Sequence, residues 1–156
     1  MGHRILRQLV LRGALLPLTT VLTPNSLEAR RLVGAAPDAD LRDCARQLTT
    51  LGCKYVLLTG THEEGTEVVN TLYDASGLVR EDRWQRLPGS YHGSGCTLAA
   101  ALAANLARGL EIGDAVYEAQ DYTWQALSHA FRPGMGQYLP DRLFWARESE
   151  GEGGDA

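Results

Sequence analysis

No lysine follows Lys54, so the chain holds no Gly-Lys-Ser/Thr and no Walker A phosphate loop. No Cys-x-x-Cys occurs among Cys44, Cys53 and Cys96. An odd, scattered set argues against a disulfide framework or a zinc site, and for reduced thiols in a cytoplasm. No apolar run approaches the ~18 residues that a membrane span requires. Arg4, Arg7 and Arg12 interrupt the N-terminal apolar residues, which excludes the apolar stretch of a signal peptide. Position 6 is Leu6, where a myristoylation motif needs Ser or Thr. Nor is there a basic excess: 15 Lys and Arg stand against 19 Asp and Glu, a net charge of −4, so no nucleic-acid footprint is expected. No internal repeat is visible.

What is present is an ordinary soluble composition, 44% hydrophobic and 22% charged over 156 residues, enough for one domain with a real core. Ile5, Leu6, Leu9, Val10 and Leu16 fall near helical spacing, and Pro17 ends that pattern. Thr19 to Leu22 reads as a short buried strand. Pro24 and Asn25 turn it into a helix from Ser26 to Val33. Pro37 and Asp38 open a second helix with Leu41, Ala45 and Leu48 on one face, stopped by Gly52. Tyr55 to Leu58 is a second buried strand. Thr66 to Tyr73 and Leu78 to Arg86 read as a hairpin around Asp74-Ala75-Ser76-Gly77. A helix from Ser94 to about Arg108 has so few polar residues that burial nearly all round is expected. A further helix follows to about Phe131, with Ala115, Ala119, Tyr122 and Ala126 inward. Past Pro133 the chain reads as irregular, and the Gly- and acid-rich residues 146–156 read as a disordered acidic tail. This order predicts an α/β fold with a mostly parallel sheet and an antiparallel hairpin edge.

Three stretches carry candidate chemistry. In Gly89-Ser90-Tyr91-His92-Gly93-Ser94-Gly95-Cys96-Thr97, Gly93 and Gly95 are suited to positive φ and to uncovered backbone N–H groups, and a helix follows at once. Orphan N–H groups and the helix dipole make such a turn an anion site. The same field favours a thiolate at Cys96. The other reading is a plain helix start with Cys96 as a small core hydrophobe. The dinucleotide fingerprint is excluded, because Leu98 stands where its third glycine belongs. A thiol hydrolase is disfavoured, since His92 is only four residues from Cys96 on a tight turn.

The second stretch is Thr23-Pro24-Asn25-Ser26-Leu27-Glu28. Asn25 with Glu28 three residues on is a capping box. The same amide and carboxylate, at a strand end, also suit a hydrated Mg²⁺. The third is Thr59-Gly60-Thr61-His62, where a glycine lets a ligand reach the backbone and His62 reads best as a solvated loop histidine. All three follow strands, and convergence on one sheet edge is expected.

Taken together, Thr23-Pro24-Asn25 with Glu28-Ala29, Val56-Leu57-Leu58-Thr59-Gly60 with His62, and His92-Gly93-Ser94-Gly95-Cys96-Thr97-Leu98 resemble the hydroxymethylpyrimidine/phosphomethylpyrimidine kinases of thiamine biosynthesis, in the ribokinase-like superfamily. The match runs in order from about Leu15 to Ala130. The resemblance implies the C-terminal half of a three-layer α/β/α kinase fold, a partial domain over residues 1–145 that carries the nucleotide-binding part. It implies ATP and Mg²⁺, a small pyrimidine substrate, no nucleic acid and no membrane partner. It gives Gly93, Ser94, Gly95 and Cys96 as the catalytic turn, Cys96 standing where the superfamily has its general-base Asp. It gives Asn25, Thr59, Gly60, Gly93 and Gly95 as nucleotide contacts, and Asn25 and Glu28 as the Mg²⁺ motif. Where the family often has Lys-Gly-Gly-His, this chain has Thr59-Gly60-Thr61-His62, so a cationic phosphate contact is lost there. The chain begins where the family's C-terminal half begins, and so a homo-oligomer or a complementing N-terminal half is expected. A pyridoxal-type kinase and a non-catalytic nucleotide-binding or assembly fragment are the competing readings.

Overall fold

A computed structural model describes residues 10–146 of the chain. The expected acidic tail, apart from Ala146, and the N-terminal part of the first expected helix lie outside the described residues. The described part of that helix is a wide turn over Leu11–Leu15 and a tight turn over Leu16–Leu18. Pro17 stands inside the second turn rather than ending it, because a first-turn N–H has no acceptor to lose.

The described elements fall into two compact units, divided between Arg86 and Leu87. In the first, strand β1 (Val21–Leu22) leads into helix α1 (Ser26–Val33), then α2 (Leu41–Thr50), β2 (Tyr55–Thr59), β3 (Glu67–Asp74) and β4 (Gly77–Gln85). The sheet order is β1-β2-β3-β4. β1 and β2 pair in parallel through Val21 with Tyr55 and Leu22 with Val56. β2/β3 and β3/β4 are antiparallel.

The hairpin edge is therefore present, but the expected mostly parallel sheet is not: one of its three strand pairings is parallel. The reason lies in the connection over residues 60–66. A parallel return needs a crossover of a dozen or more residues, and this loop is too short to make one.

The core follows the sequence periodicity. Ala29 and Val33 of α1, Cys44, Ala45 and Leu48 of α2, and Val56 and Leu58 of β2 form one buried cluster. Leu48 is fully buried, and such burial is worth about 1.5–3 kcal/mol. Gly52, at φ 111°, sits just past α2, and a Cβ there would come within 2.7 Å of Pro17 Cα. It both stops the helix and lets Pro17 pack. Burial pushes the Cys44 and Cys53 thiols up, so both behave as inert core groups. The Asp74 carboxylate closes the hairpin by accepting from Ser76 N, Ser76 Oγ and Gly77 N at 2.7, 2.6 and 3.2 Å.

The second unit pairs helix α3 (Ser94–Ala107) with α4 (Ile112–Ser128). α4 buries Ala115, Val116, Ala119, Gln120, Thr123 and Ala126. Tyr122, expected inward, is half-buried, with its hydroxyl donating to Arg142 O at 2.8 Å. α3 corrects an expectation. Only Thr97, Leu98 and Leu102 are buried, while Ala99, Ala100, Ala103 and Ala104 are exposed. Alanine is a strong helix former with a small apolar surface, so an alanine-rich run makes a helix without demanding cover on every side. Past Pro133 the backbone is less irregular than expected: Phe131 bridges Leu139, and Tyr91 bridges Tyr138. Among the described residues, no helix is long and apolar enough to cross a membrane.

Candidate active site

The first group of expected residues is assembled by the β1/β2 pair. Thr59 N donates to Pro24 O at 3.0 Å, and Asn25 forms an isolated parallel bridge with Thr59. The ladder thus runs one step past each strand and brings Asn25, Glu28, Thr59 and Gly60 to one strand end. Asn25 Oδ1 accepts from Glu28 N at 2.9 Å, and Asn25 N donates to Glu28 Oε2 at 3.0 Å. The capping box is complete, so it accounts for one oxygen of each side chain.

Gly60 has a different reason from the one its sequence suggests. A Cβ there would collide with the carbonyl oxygen of Val69, so strand β3 itself requires glycine. Gly60 N donates to the buried Asn70 Oδ1 at 3.1 Å. The loop beyond is held by Arg86, whose guanidinium donates to the carbonyls of Gly65, Thr61, Glu63 and Glu67 at 2.7–3.2 Å. His62 is exposed on that loop. The Ser26 hydroxyl, and then the Arg30 guanidinium 3.0 Å away, hold the Glu63 carboxyl below the usual carboxylate range. A hollow of about 380 Å³ opens beside Thr59 and Gly60, and Asp40, Glu63, Glu64 and Glu67 line it against Arg42 alone. Its sign opposes a polyphosphate.

Mg²⁺ is tested by the same geometry. Among the described residues no three His, Cys, Asp or Glu gather into a metal cluster. Glu28 is exposed, and Oε2 is engaged with Asn25 N, which leaves Oε1 for another contact. One carboxylate oxygen fits an ion that keeps most of its waters and takes its other ligands from phosphates. It does not fit a protein-caged ion.

The second unit carries the glycine turn. Gly93 is the N-cap of α3 at φ 88°, a left-handed conformation that costs any other residue. Gly95, expected to share that role, is helical instead. Nothing lies within 4 Å of a Cβ built on Gly95, so the space above it is open. The first intrahelical bond runs from Thr97 N to Gly93 O at 3.0 Å, and no side chain caps the helix. The N–H groups of Ser94, Gly95 and Cys96 thus precede the ladder at the positive end of the dipole. Cys96 is an exposed, unpaired thiol at the third helical position, which overturns the reading of it as a core residue.

The turn is braced by residues that no local motif marks. His92 N donates to Tyr138 O and Tyr138 N to Ser90 O, both at 2.9 Å. Tyr91 OH donates to Pro88 O at 2.8 Å, and the Tyr91 and Tyr138 rings lie 5.8 Å apart. Thr97 Oγ1 donates to Gly93 O at 2.8 Å and accepts from Arg142 Nε at 3.0 Å. Tyr138 and Arg142 lie more than 40 residues downstream of the turn. Only contact in space identifies them. The structure therefore brings two of the three expected stretches together at one strand end, and builds the third within the other unit.

The sequence pattern of the phosphomethylpyrimidine kinase family matches residues 5–141. The hydroxymethylpyrimidine/phosphomethylpyrimidine kinase of Rhizobium meliloti (strain 1021) is 40% identical over 126 residues, which cover 79% of this chain and 47% of that protein. The protein of the same name from Synechococcus elongatus is 44% identical over 132 residues, covering 82% and 50%. The solved pyridoxal kinase from Staphylococcus aureus, in complex with AMP-PCP and pyridoxal, superposes with a TM-score of 0.85 at 26% identity, over 94% of this chain and 56% of that one. The chain spans about half the length of the curated relatives it matches.

Proposed function

The chain belongs to the phosphomethylpyrimidine kinase family, and on that premise we propose that it serves ATP-dependent phosphorylation of hydroxymethylpyrimidine or its monophosphate in thiamine biosynthesis. The observation that carries this reading is the uncapped turn over residues 93–96, with open space above Gly95 and an exposed thiol at Cys96. Phosphoryl transfer asks a protein mostly for positioning and charge stabilisation. Backbone N–H groups of Ser94, Gly95 and Cys96 hold the oxygens of the transferring group. Cys96 takes the proton of the attacking hydroxyl. Asn25, Thr59 and Gly60 form the strand end that receives the nucleotide, through groups other than their backbone N–H groups, which are bonded to Glu28, Pro24 and Asn70. Glu28, set by its bond to Asn25, orients waters of Mg²⁺, which when bound neutralises phosphate charge. The reduced thiols support a cytoplasmic setting.

A pyridoxal-type alcohol is the second reading, favoured by the 0.85 TM-score to a pyridoxal kinase. As a third element of the proposal, a second copy or a complementing N-terminal half completes the substrate pocket. The test is phosphorylated product formed per hour by the pure chain, with hydroxymethylpyrimidine and with pyridoxal. It is run alone and with the N-terminal half of a related kinase, beside mass in solution by light scattering. Pyrimidine product that rises on complementation supports the proposal. Product from pyridoxal alone replaces the substrate. Unaided turnover by a stable monomer overturns the need for a partner.

A further inference from the structure

Arg142 reaches the glycine turn from the far end of the chain. Its Nε donates to Thr97 Oγ1 at 3.0 Å, and the same hydroxyl donates to Gly93 O at 2.8 Å. Its Nη2 lies so near the turn that a Cβ on Gly93 would stand 3.0 Å from it. The backbone around it is pinned: Tyr122 OH donates to Arg142 O, and Asp141 N donates to Ala126 O, both at 2.8 Å.

Six other arginines contrast with it, although Arg12, Arg42 and Arg108 likewise make no ion pair among the described residues. Arg30, Arg46, Arg80 and Arg83 pair with carboxylates, while Arg86 and Arg132 brace loops through carbonyls. Among the described residues no carboxylate pairs with Arg142. Its charge stands instead beside N–H groups that already favour an anion. Of the residues assigned to the nucleotide, its metal ion and the catalytic turn, Asn25, Glu28, Thr59, Gly60 and residues 93–96, none is basic.

We propose that Arg142 is the cationic contact for the phosphoryl oxygens held at the Gly93–Cys96 turn, with Thr97 as the positioning residue that aims it. The inference rests on reading that turn as the phosphate site. A guanidinium is charged at any working pH and presents a planar fork that matches phosphate. Hydrogen bonds between opposite charges are about twice as strong as neutral ones. Nε is used by Thr97, which leaves the Nη groups to the anion.

The test titrates the full chain with MgATP and, separately, with inorganic tripolyphosphate, in low and high salt. Arg142→Gln keeps an amide donor for Thr97 and removes the charge. It is expected to weaken both probes about tenfold or more, to flatten the salt dependence and to leave Tm unchanged. Arg142→Lys keeps the charge without the fork and is expected to lose several-fold. Wild-type affinity in Arg142→Gln, when Gly95→Val has lost binding, overturns the role of Arg142 and leaves the phosphate turn standing. A wild-type chain that binds neither probe overturns both. Should Arg142→Gln fail to fold, Arg142→Lys decides, and unchanged tripolyphosphate affinity there overturns the proposal.

Discussion

The turns at Asn25 and at Gly93 both feed a helix, yet they leave its N-terminus in opposite states. At Asn25 the side chains close the turn on themselves: Asn25 caps Glu28 N and Glu28 caps Asn25 N. At Gly93 no side chain caps α3, and a Cβ on Gly95 would meet nothing within 4 Å. A closed cap contributes stability to its own helix. An open one with glycine as its N-cap forgoes about a few tenths of a kcal/mol of capping and keeps its donors for something else. The first turn is thus a fold element that also presents a carboxylate, and the second, the proposed binding element, is braced through Tyr138, Thr97 and Arg142.

Substitutions break or sharpen this contrast. The largest effect is expected from Cys96→Ala, which removes the proposed base. Turnover of the active form should fall roughly 10²-fold or more, while Tm and MgATP affinity hold, because the side chain is exposed. Near wild-type turnover would remove Cys96 from the chemistry. Next comes Gly93→Ala. At φ 88°, and with Arg142 Nη2 in the way, it should cost about 1–2 kcal/mol in urea unfolding. A neutral result would mean that the turn relaxes freely.

Asn25→Ala should cost about 1 kcal/mol through the lost cap. Asn25→Asp keeps the cap and Tm but alters the group beside the ion, so the Mg²⁺ dependence of activity should shift. An unchanged Mg²⁺ titration would leave Asn25 as a cap alone.

The smallest effect concerns pH. The Ser26 hydroxyl and the Arg30 guanidinium lower the Glu63 carboxyl, so its stabilisation is complete above the unfolded value and fades as pH falls through the lowered folded one. The group is partly exposed, and screening keeps the pair under about 1 kcal/mol. The Tm difference between wild type and Glu63→Gln should therefore shrink below about pH 4. A difference that persists there would assign it to packing.

Local rules made much of this legible. Helix α1 begins and ends at the expected residues, Ser26 and Val33, because its cap, its Glu28 and its Gly34 lie within the helix or beside it. The hairpin at Asp74 and the Gly93 turn were legible for the same reason. The sheet direction was not: two buried strands suggest a parallel pair, and only the length of the loop over residues 60–66 reverses the third. Gly60 looked like a ligand contact, but its glycine answers to Val69 across the sheet. Arg86, Asn70, Tyr138 and Arg142 carry no local signature, since what gives each its role is a carbonyl, an amide or a hydroxyl that folding alone brings near.

The most direct measurement of the open turn is a calorimetric titration of MgATP into the wild-type chain and into Gly95→Val. Gly95 is helical and a Cβ there meets nothing within 4 Å, so valine fits the fold and adds bulk beside the turn. The account predicts binding by the wild type, and a Gly95→Val protein with unchanged Tm that no longer binds. A folded Gly95→Val protein that binds MgATP as the wild type does would contradict it.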